Sequence, residues 1–218
     1  MTDPARPVLY SFRRCPYAMR ARMGLVAAGI EVELREVVLR DKPEEMIEVS
    51  PKATVPVLIL PDGQVFEESL DVIDWALGQS DIEGLLDIEP AAQRVLVAAM
   101  DADFKPHLDR YKYLNRYPDE PAGDHRGTAF SWIETHLAPR LAQTDNLFRD
   151  AVSFADIAIF PFIRQFAHVD RDWFFSTAPQ PVRAWLERHL ASDRFAQIMK
   201  KYPQWQSDRP GVVFPSEC

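Results

Sequence analysis

Residues 8–29, VLYSFRRCPYAMRARMGLVAAG, hold the pattern on which the fold turns. Residues 8–12 are short, apolar and aromatic-rich, which predicts a strand. Cys15-Pro16 then stands where a helical period begins, and proline suits the first helical position because its missing N–H has no partner there anyway. Tyr17, Ala21, Leu25 and Ala28 recur at roughly helical spacing, with Arg20 and Arg22 expected elsewhere on the wheel. Gly29 supplies a stop signal. Strand, Cys-Pro and helix therefore place Cys15 at a helix N-cap.

Working outward, residues 30–39 alternate Ile30, Val32 and Leu34 with Glu31, Glu33 and Arg35, the period of a second strand. Residues 43–49 predict a short helix. Residues 55–60 form a β-branched run ending at Pro61-Asp62-Gly63, a turn signal from which residues 64–66 return as a hairpin. Ser69 opens an apolar-rich helix that stops at Gly78. The order is βαβαββα, an α/β domain over residues 1–78. Residues 79–90 lose the helical period and predict a connection. Beyond Pro90 the pattern turns helical without a clear strand, at about 91–116, 125–143, 153–168, 181–190 and 193–201, with Pro106 expected to kink the first helix. Residues 91–218 thus predict an all-α domain. Tryptophans such as Trp132, Trp185 and Trp205 are expected to fill gaps between its helices.

The bulk numbers exclude several function classes. With 218 residues, 47 % of them apolar, the chain can bury a sizeable core. The longest apolar runs are only a handful of residues, too short to span a bilayer. No secretory signal is seen at the start of the sequence, so a cytoplasmic protein without membrane attachment is expected. Cys15 and Cys218 are the two cysteines, which is neither a disulfide framework nor a four-cysteine zinc site. His125, His136, His168 and His189 show no ligand spacing, and no metal is expected. A net charge of −8 argues against a general grip on nucleic acid, which depends on many basic contacts to phosphates. Residues 104–117 interleave aromatic and basic side chains. In an acidic chain these read better as the wall of a substrate site than as a nucleic-acid patch.

Chemistry concentrates at a few positions. A thiol at a helix N-cap meets unsatisfied N–H groups and the positive end of the helix dipole, both of which favour thiolate. Ala18 occupies the place of a second cysteine in a Cys-x-x-Cys motif, so an intramolecular dithiol cycle is excluded. The resolving thiol must come from another molecule, for which a small cytosolic thiol is the economical candidate. Cys218, at the far end of the sequence, is read as incidental. A cis Val55-Pro56 bond would turn the Val55 backbone toward an extended peptide beside Cys15. Glu67-Glu68-Ser69 precedes a helix, where Ser69 suits a carboxylate and an adjacent acid an ammonium group, the two charges of an α-amino acid. Val152-Ser153-Phe154-Ala155-Asp156-Ile157 reads as a structural cap, with Asp156 reaching back to the Ser153 N–H.

With Cys15-Pro16-Tyr17, Val55-Pro56, Glu68-Ser69 and the Ser153/Asp156 cap in this order, residues 7–205 resemble the cytosolic glutathione transferases, particularly their omega-like, cysteine-containing branch. The resemblance implies a thioredoxin-like domain followed by a helical one, with glutathione as cosubstrate. It implies that Cys15 is catalytic. Glu68 and Ser69 would hold the γ-glutamyl end, and Val55-Pro56 the backbone of the glutathione cysteine. Lys42, within Leu39-Arg40-Asp41-Lys42-Pro43-Glu44, would hold the glycine carboxylate. The second substrate would sit between the domains, for which Tyr17, His107 and Tyr111 are candidates. The implied activity is glutathione-dependent thiol transfer or reduction, dehydroascorbate being one possible oxidant, in a homodimer. Two alternatives stay open: a noncatalytic protein-binding regulator of the same fold, and a transferase that conjugates glutathione to electrophiles.

Overall fold

The computed structural model describes residues 6–118 and 123–215; Cys218 lies outside them. Residues up to Glu83 together with those from Ser192 onward form one unit, and Gly84–Ala191 forms the other.

In the first unit the expected order holds: β1 (Val8–Ser11), α1 (Pro16–Ala28), β2 (Val32–Glu36), α2 (Glu44–Val49), β3 (Val57–Ile59), β4 (Val65–Phe66) and α3 (Ser69–Gln79). The sheet order is β4-β3-β1-β2-β5, with β1 and β2 parallel and the remaining pairs antiparallel. At the β3–β4 hairpin Gly63 adopts φ 92°, a left-handed conformation that glycine takes without a Cβ clash. The fifth strand, β5 (Val212–Phe214), pairs with β2 in the register Val32↔Phe214 and Leu34↔Val212. It corrects the expectation of an all-α segment over 91–218. Three residues are too few to show a period, but Val212-Val213-Phe214 can complete the hydrogen bonding of an otherwise open edge.

Arg20 and Arg22 are both buried, because α1 is covered on nearly all sides. One further expectation is corrected here. Trp205 does not fill a gap between helices. It packs edge-on against Tyr10 at 5.8 Å, in a cluster with Ala18, Val37, Met46, Val55 and Val57. The Arg35 guanidinium lies 4.4 Å from a Trp205 ring centroid, and the Trp205 N–H donates to the Glu36 carbonyl at 2.8 Å. Trp205 and β5 therefore help build the first unit.

α1 and α3 approach closely at Gly24, where a Cβ would stand 2.6 Å from Ile73 Cγ1 and 3.1 Å from its Cβ. Ile73 is fully buried and β-branched, so it has little freedom to yield. Gly24→Ala is expected to destabilise the protein by about 1–2 kcal/mol despite alanine's better helix propensity. Urea unfolding would measure this; an equal or greater midpoint would refute it.

The second unit contains α4 (Pro90–Ala99), a π-helical turn (Met100–Phe104), α5 (Lys105–Lys112), a 3-10 turn (Leu114–Arg116), α6 (His125–His136), α7 (Ala138–Leu141), α8 (Phe154–Ala167), α9 (Arg171–Thr177) and α10 (Gln180–Leu190). The π turn immediately precedes Pro106, whose ring cannot donate the usual hydrogen bond, so the helix widens there. Residues 84–90 are more than a passive connection. Buried Gln93 donates to the carbonyls of Leu85 (3.1 Å) and Ile88 (2.6 Å) while accepting the Ala155 N–H (2.8 Å), which ties this stretch to the start of α8. A last helix, α11 (Asp193–Ile198), belongs to the first unit.

Asp156 is buried at the first turn of α8 and accepts four hydrogen bonds. Oδ2 takes the Ser153 N–H (2.9 Å) and hydroxyl (2.5 Å), and Oδ1 takes the Leu147 N–H (3.0 Å) and Trp185 Nε1–H (2.8 Å). Burial pushes its carboxyl above the ordinary range, against the pull of these donors.

Candidate active site

Cys15 is the N-cap of α1, with extended backbone and Pro16 in the first turn. Its N–H donates to the Phe12 carbonyl at 3.0 Å, closing a tight loop after β1. The half-buried thiol faces the Val55 carbonyl at 3.8 Å, and the Val55-Pro56 peptide is cis. Cys15 and Val55 thus come together although 40 residues separate them.

At the start of α3, Glu68 is the N-cap and Ser69 the first helical residue, buried beneath it. Glu68 pairs with Lys52, and Glu67 accepts the buried Ser50 hydroxyl at 2.5 Å. Lys52 had no signal in the sequence, being one more exposed lysine until the loop folds back toward α3. Lys42 lines a cleft of about 440 Å³ whose wall includes Asp41, Glu44, Glu45, Glu48 and Trp205. Four carboxylates make the local field negative, so an anionic group held there would rest on Lys42 itself. Tyr17 lies on α1 with the Arg20 guanidinium 5.6 Å from its ring centroid.

His107 and Tyr111 belong to the second unit and are engaged within it. Tyr111 packs on Phe166 at 5.4 Å, and burial raises its phenol above the usual value against a hydrogen bond from Arg126. His107 Nδ1 lies 3.0 Å from His125 Nδ1, beside a cleft of about 380 Å³ lined also by Asp103, Thr128, Trp132 and His136. Burial, then His125 and Arg110, hold the His107 imidazole below the usual histidine range. Burial and Arg164 do the same to His168.

The sign of the resulting pH dependence follows from linkage. A depressed histidine contributes stability that is present above the unfolded value and lost as pH falls through the folded one, because the unfolded chain takes the proton first. Unfolding free energy is therefore expected to drop as pH falls from about 7.5 toward 5.5. In urea titrations at several pH values, His107→Gln should flatten that slope; an unchanged slope would exclude this source.

Among the described residues no group of three or more histidine, cysteine, aspartate or glutamate side chains is placed to hold a metal, and no helix is long and apolar enough to cross a membrane.

A sequence model for the glutathione S-transferase N-terminal domain matches residues 9–82, and one for the glutathione S-transferase C-terminal domain matches residues 122–188. The chain belongs to the cytosolic glutathione S-transferase superfamily. Glutathione is the cosubstrate of this family, and both the mixed-sheet thioredoxin-like domain and the helical domain fit it. Omega-1 glutathione S-transferase of Rattus norvegicus is 42 % identical over 67 residues, 31 % of this chain and 28 % of that protein. A probable glutathione transferase of Aplysia californica is 42 % identical over 55 residues, which are 25 % of this chain and 60 % of that one. The stringent starvation protein A homolog of Haemophilus influenzae aligns over 87 % of this chain and 88 % of its own, at 22 % identity. Among solved structures, poplar glutathione transferase F1 superposes with a TM-score of 0.74 at 15 % identity, covering 89 % of this chain and 97 % of the other. Glutathione transferase Omega 3C of Trametes versicolor gives 0.71 at 20 % identity, covering 88 % and 83 %.

Proposed function

We propose that this glutathione S-transferase is an omega-like, cysteine-based thiol transferase acting on glutathionylated substrates. The observation that carries the reading is the Cys15 thiol at the N-cap of α1, 3.8 Å from the Val55 carbonyl, with buried Ala18 where a resolving thiol would stand. A helix N-terminus favours thiolate, and a thiolate attacks a disulfide far better than a thiol does.

The step balances without another oxidant. The Cys15 thiolate attacks the glutathione sulfur of R–S–S–G, forming Cys15–S–S–G and releasing R–S⁻, which takes a proton from solvent. A glutathione thiolate then attacks the mixed disulfide, forming glutathione disulfide and regenerating the Cys15 thiolate. The sum is R–S–S–G plus glutathione giving R–SH plus glutathione disulfide. In this reading the Val55 backbone pairs with the glutathione cysteine, and Ser69 and Glu68 take the carboxylate and ammonium of the γ-glutamyl end. Lys42 takes the glycine carboxylate, and Pro56 shapes the loop. Tyr17, His107 and Tyr111 are proposed for the second substrate, for which dehydroascorbate is one further candidate. A cytoplasmic homodimer completes the proposal.

Intact-mass spectrometry after incubation with oxidised glutathione tests it, with Cys218→Ser as the control. One glutathione adduct that persists in Cys218→Ser and is released by reduced glutathione is expected. A folded protein with neither adduct nor turnover would overturn the proposal in favour of a noncatalytic partner-binding role.

A further inference from the structure

A charged pair that the mechanism above does not use lies in the core beside Cys15. Arg22 has no exposed side-chain surface, and Glu36 is buried at the end of β2. Both grip the peptide unit of Arg13, two residues before the thiol. Glu36 Oε1 accepts the Arg13 N–H at 2.7 Å, and Arg22 Nη2 donates to the Arg13 carbonyl at 2.8 Å. The next constraint along the chain is the Cys15 N–H to the Phe12 carbonyl, so the path into Cys15 is held at both polar atoms of Arg13 and again at its own amide.

The two charges do not fully quench one another. Arg22 Nη1 stands 3.7 Å from Glu36 Oε2, and these atoms, together with Arg22 Nε, make no hydrogen bond among the described residues. The ionisable groups around the guanidinium are Glu36 from β2, Cys15 and Arg13 from the loop, and Tyr202 from the C-terminal segment. Burial lowers Arg22 to about 10, which leaves it charged at neutral pH. A buried ion pair of this openness is not explained by stability, because the cost of desolvating two ions commonly offsets their attraction. A cation kept in the low-dielectric core acts on neighbouring charges with little screening.

We infer that Arg22 is a positioning residue for Cys15, fixing the loop through Arg13 and setting the thiol–thiolate balance together with Glu36. The inference rests on the reading of Cys15 as the reacting thiol. Arg22 supplies positive charge and Glu36 opposes it, so neutralising them must move Cys15 in opposite directions. A merely structural pair would not do this: loosening the core at either member disturbs the loop in the same sense.

The test is the pH dependence of Cys15 alkylation by iodoacetamide in the full chain carrying Cys218→Ser, with circular dichroism at each pH as a check on folding. Arg22→Met should raise the midpoint of the rate curve by about one unit, close to tenfold slower alkylation on its lower limb. Glu36→Gln should lower the midpoint, and Arg22→Lys should recover part of the Arg22→Met shift by restoring charge without the two-pronged guanidinium. Unmoved midpoints, or shifts of the same sign, would overturn the inference. Should Arg22→Met fail to fold, Glu36→Gln and Arg22→Lys decide by the same criterion. Glutathione plays no part in the measurement. Opposite shifts in a protein lacking turnover would therefore sink the thiol-transfer reading alone, whereas turnover without shifts would sink only the role of Arg22.

Discussion

In Cys15→Ser, reduction of a glutathionylated disulfide is expected to fall by roughly a thousandfold or more, the scale of loss when a covalent nucleophile is removed. Serine keeps nearly the shape of cysteine, but its hydroxyl does not ionise near neutrality and forms no disulfide. The residues proposed to hold glutathione make no use of the sulfur. Affinity measured by calorimetry should therefore stay within a few-fold of the parent while turnover disappears. This split between binding and rate separates the readings. Conjugation of glutathione to an electrophile would survive the change if Cys15 were a bystander, and surviving disulfide reduction would refute the mechanism outright.

The largest stability effect is expected at Asp156, remote in sequence from the thiol. Asp156→Ala leaves the Ser153 N–H, the Leu147 N–H and the Trp185 indole N–H without their acceptor in the interior. Unpaired buried donors are costly, and the loss should reach about 3 kcal/mol, roughly 6–12 °C in melting temperature for a chain of this size. Asp156→Asn retains one acceptor oxygen but turns an amide toward the Ser153 donors, so a smaller loss is expected. Thermal melts followed by circular dichroism measure both variants. A loss below about 1 kcal/mol for Asp156→Ala would show that water or a shifted Ser153 replaces the carboxylate.

These two residues also show what the sequence discloses. Cys15, Val55-Pro56 and Ser69 were legible because each sits at a boundary between elements, where proline and capping preferences leave local marks. Asp156 was legible for the same reason, although its bonds to Leu147 and Trp185 were not, since they arise only when separate segments pack. Arg22 and Glu36 escaped notice although a signal was present. Glu36 continues the phase of Val32 and Leu34, and Arg22 stands three residues before Leu25 on the buried helix; a charge on an inward phase is the mark of a paired buried group. The strand β5 and the tie made by Gln93 were not legible, for another reason. Gln93 and β5 act across long stretches of chain, and hydropathy periods carry no information about such partners.

The placement of β5 and Trp205 has a consequence for biosynthesis. A ribosome that has delivered the residues through α3 has supplied four strands, including β1 on one side of β2, but neither β5 nor the segment around Trp205. Until residues 205–214 emerge, the outer edge of β2 remains unpaired and the cluster around Tyr10 lacks its indole. An unpaired strand edge is open to association with other chains. The thiol-bearing unit, although begun first, can therefore be completed only after the entire helical unit has been synthesised, and its β2 edge stays open in the interval.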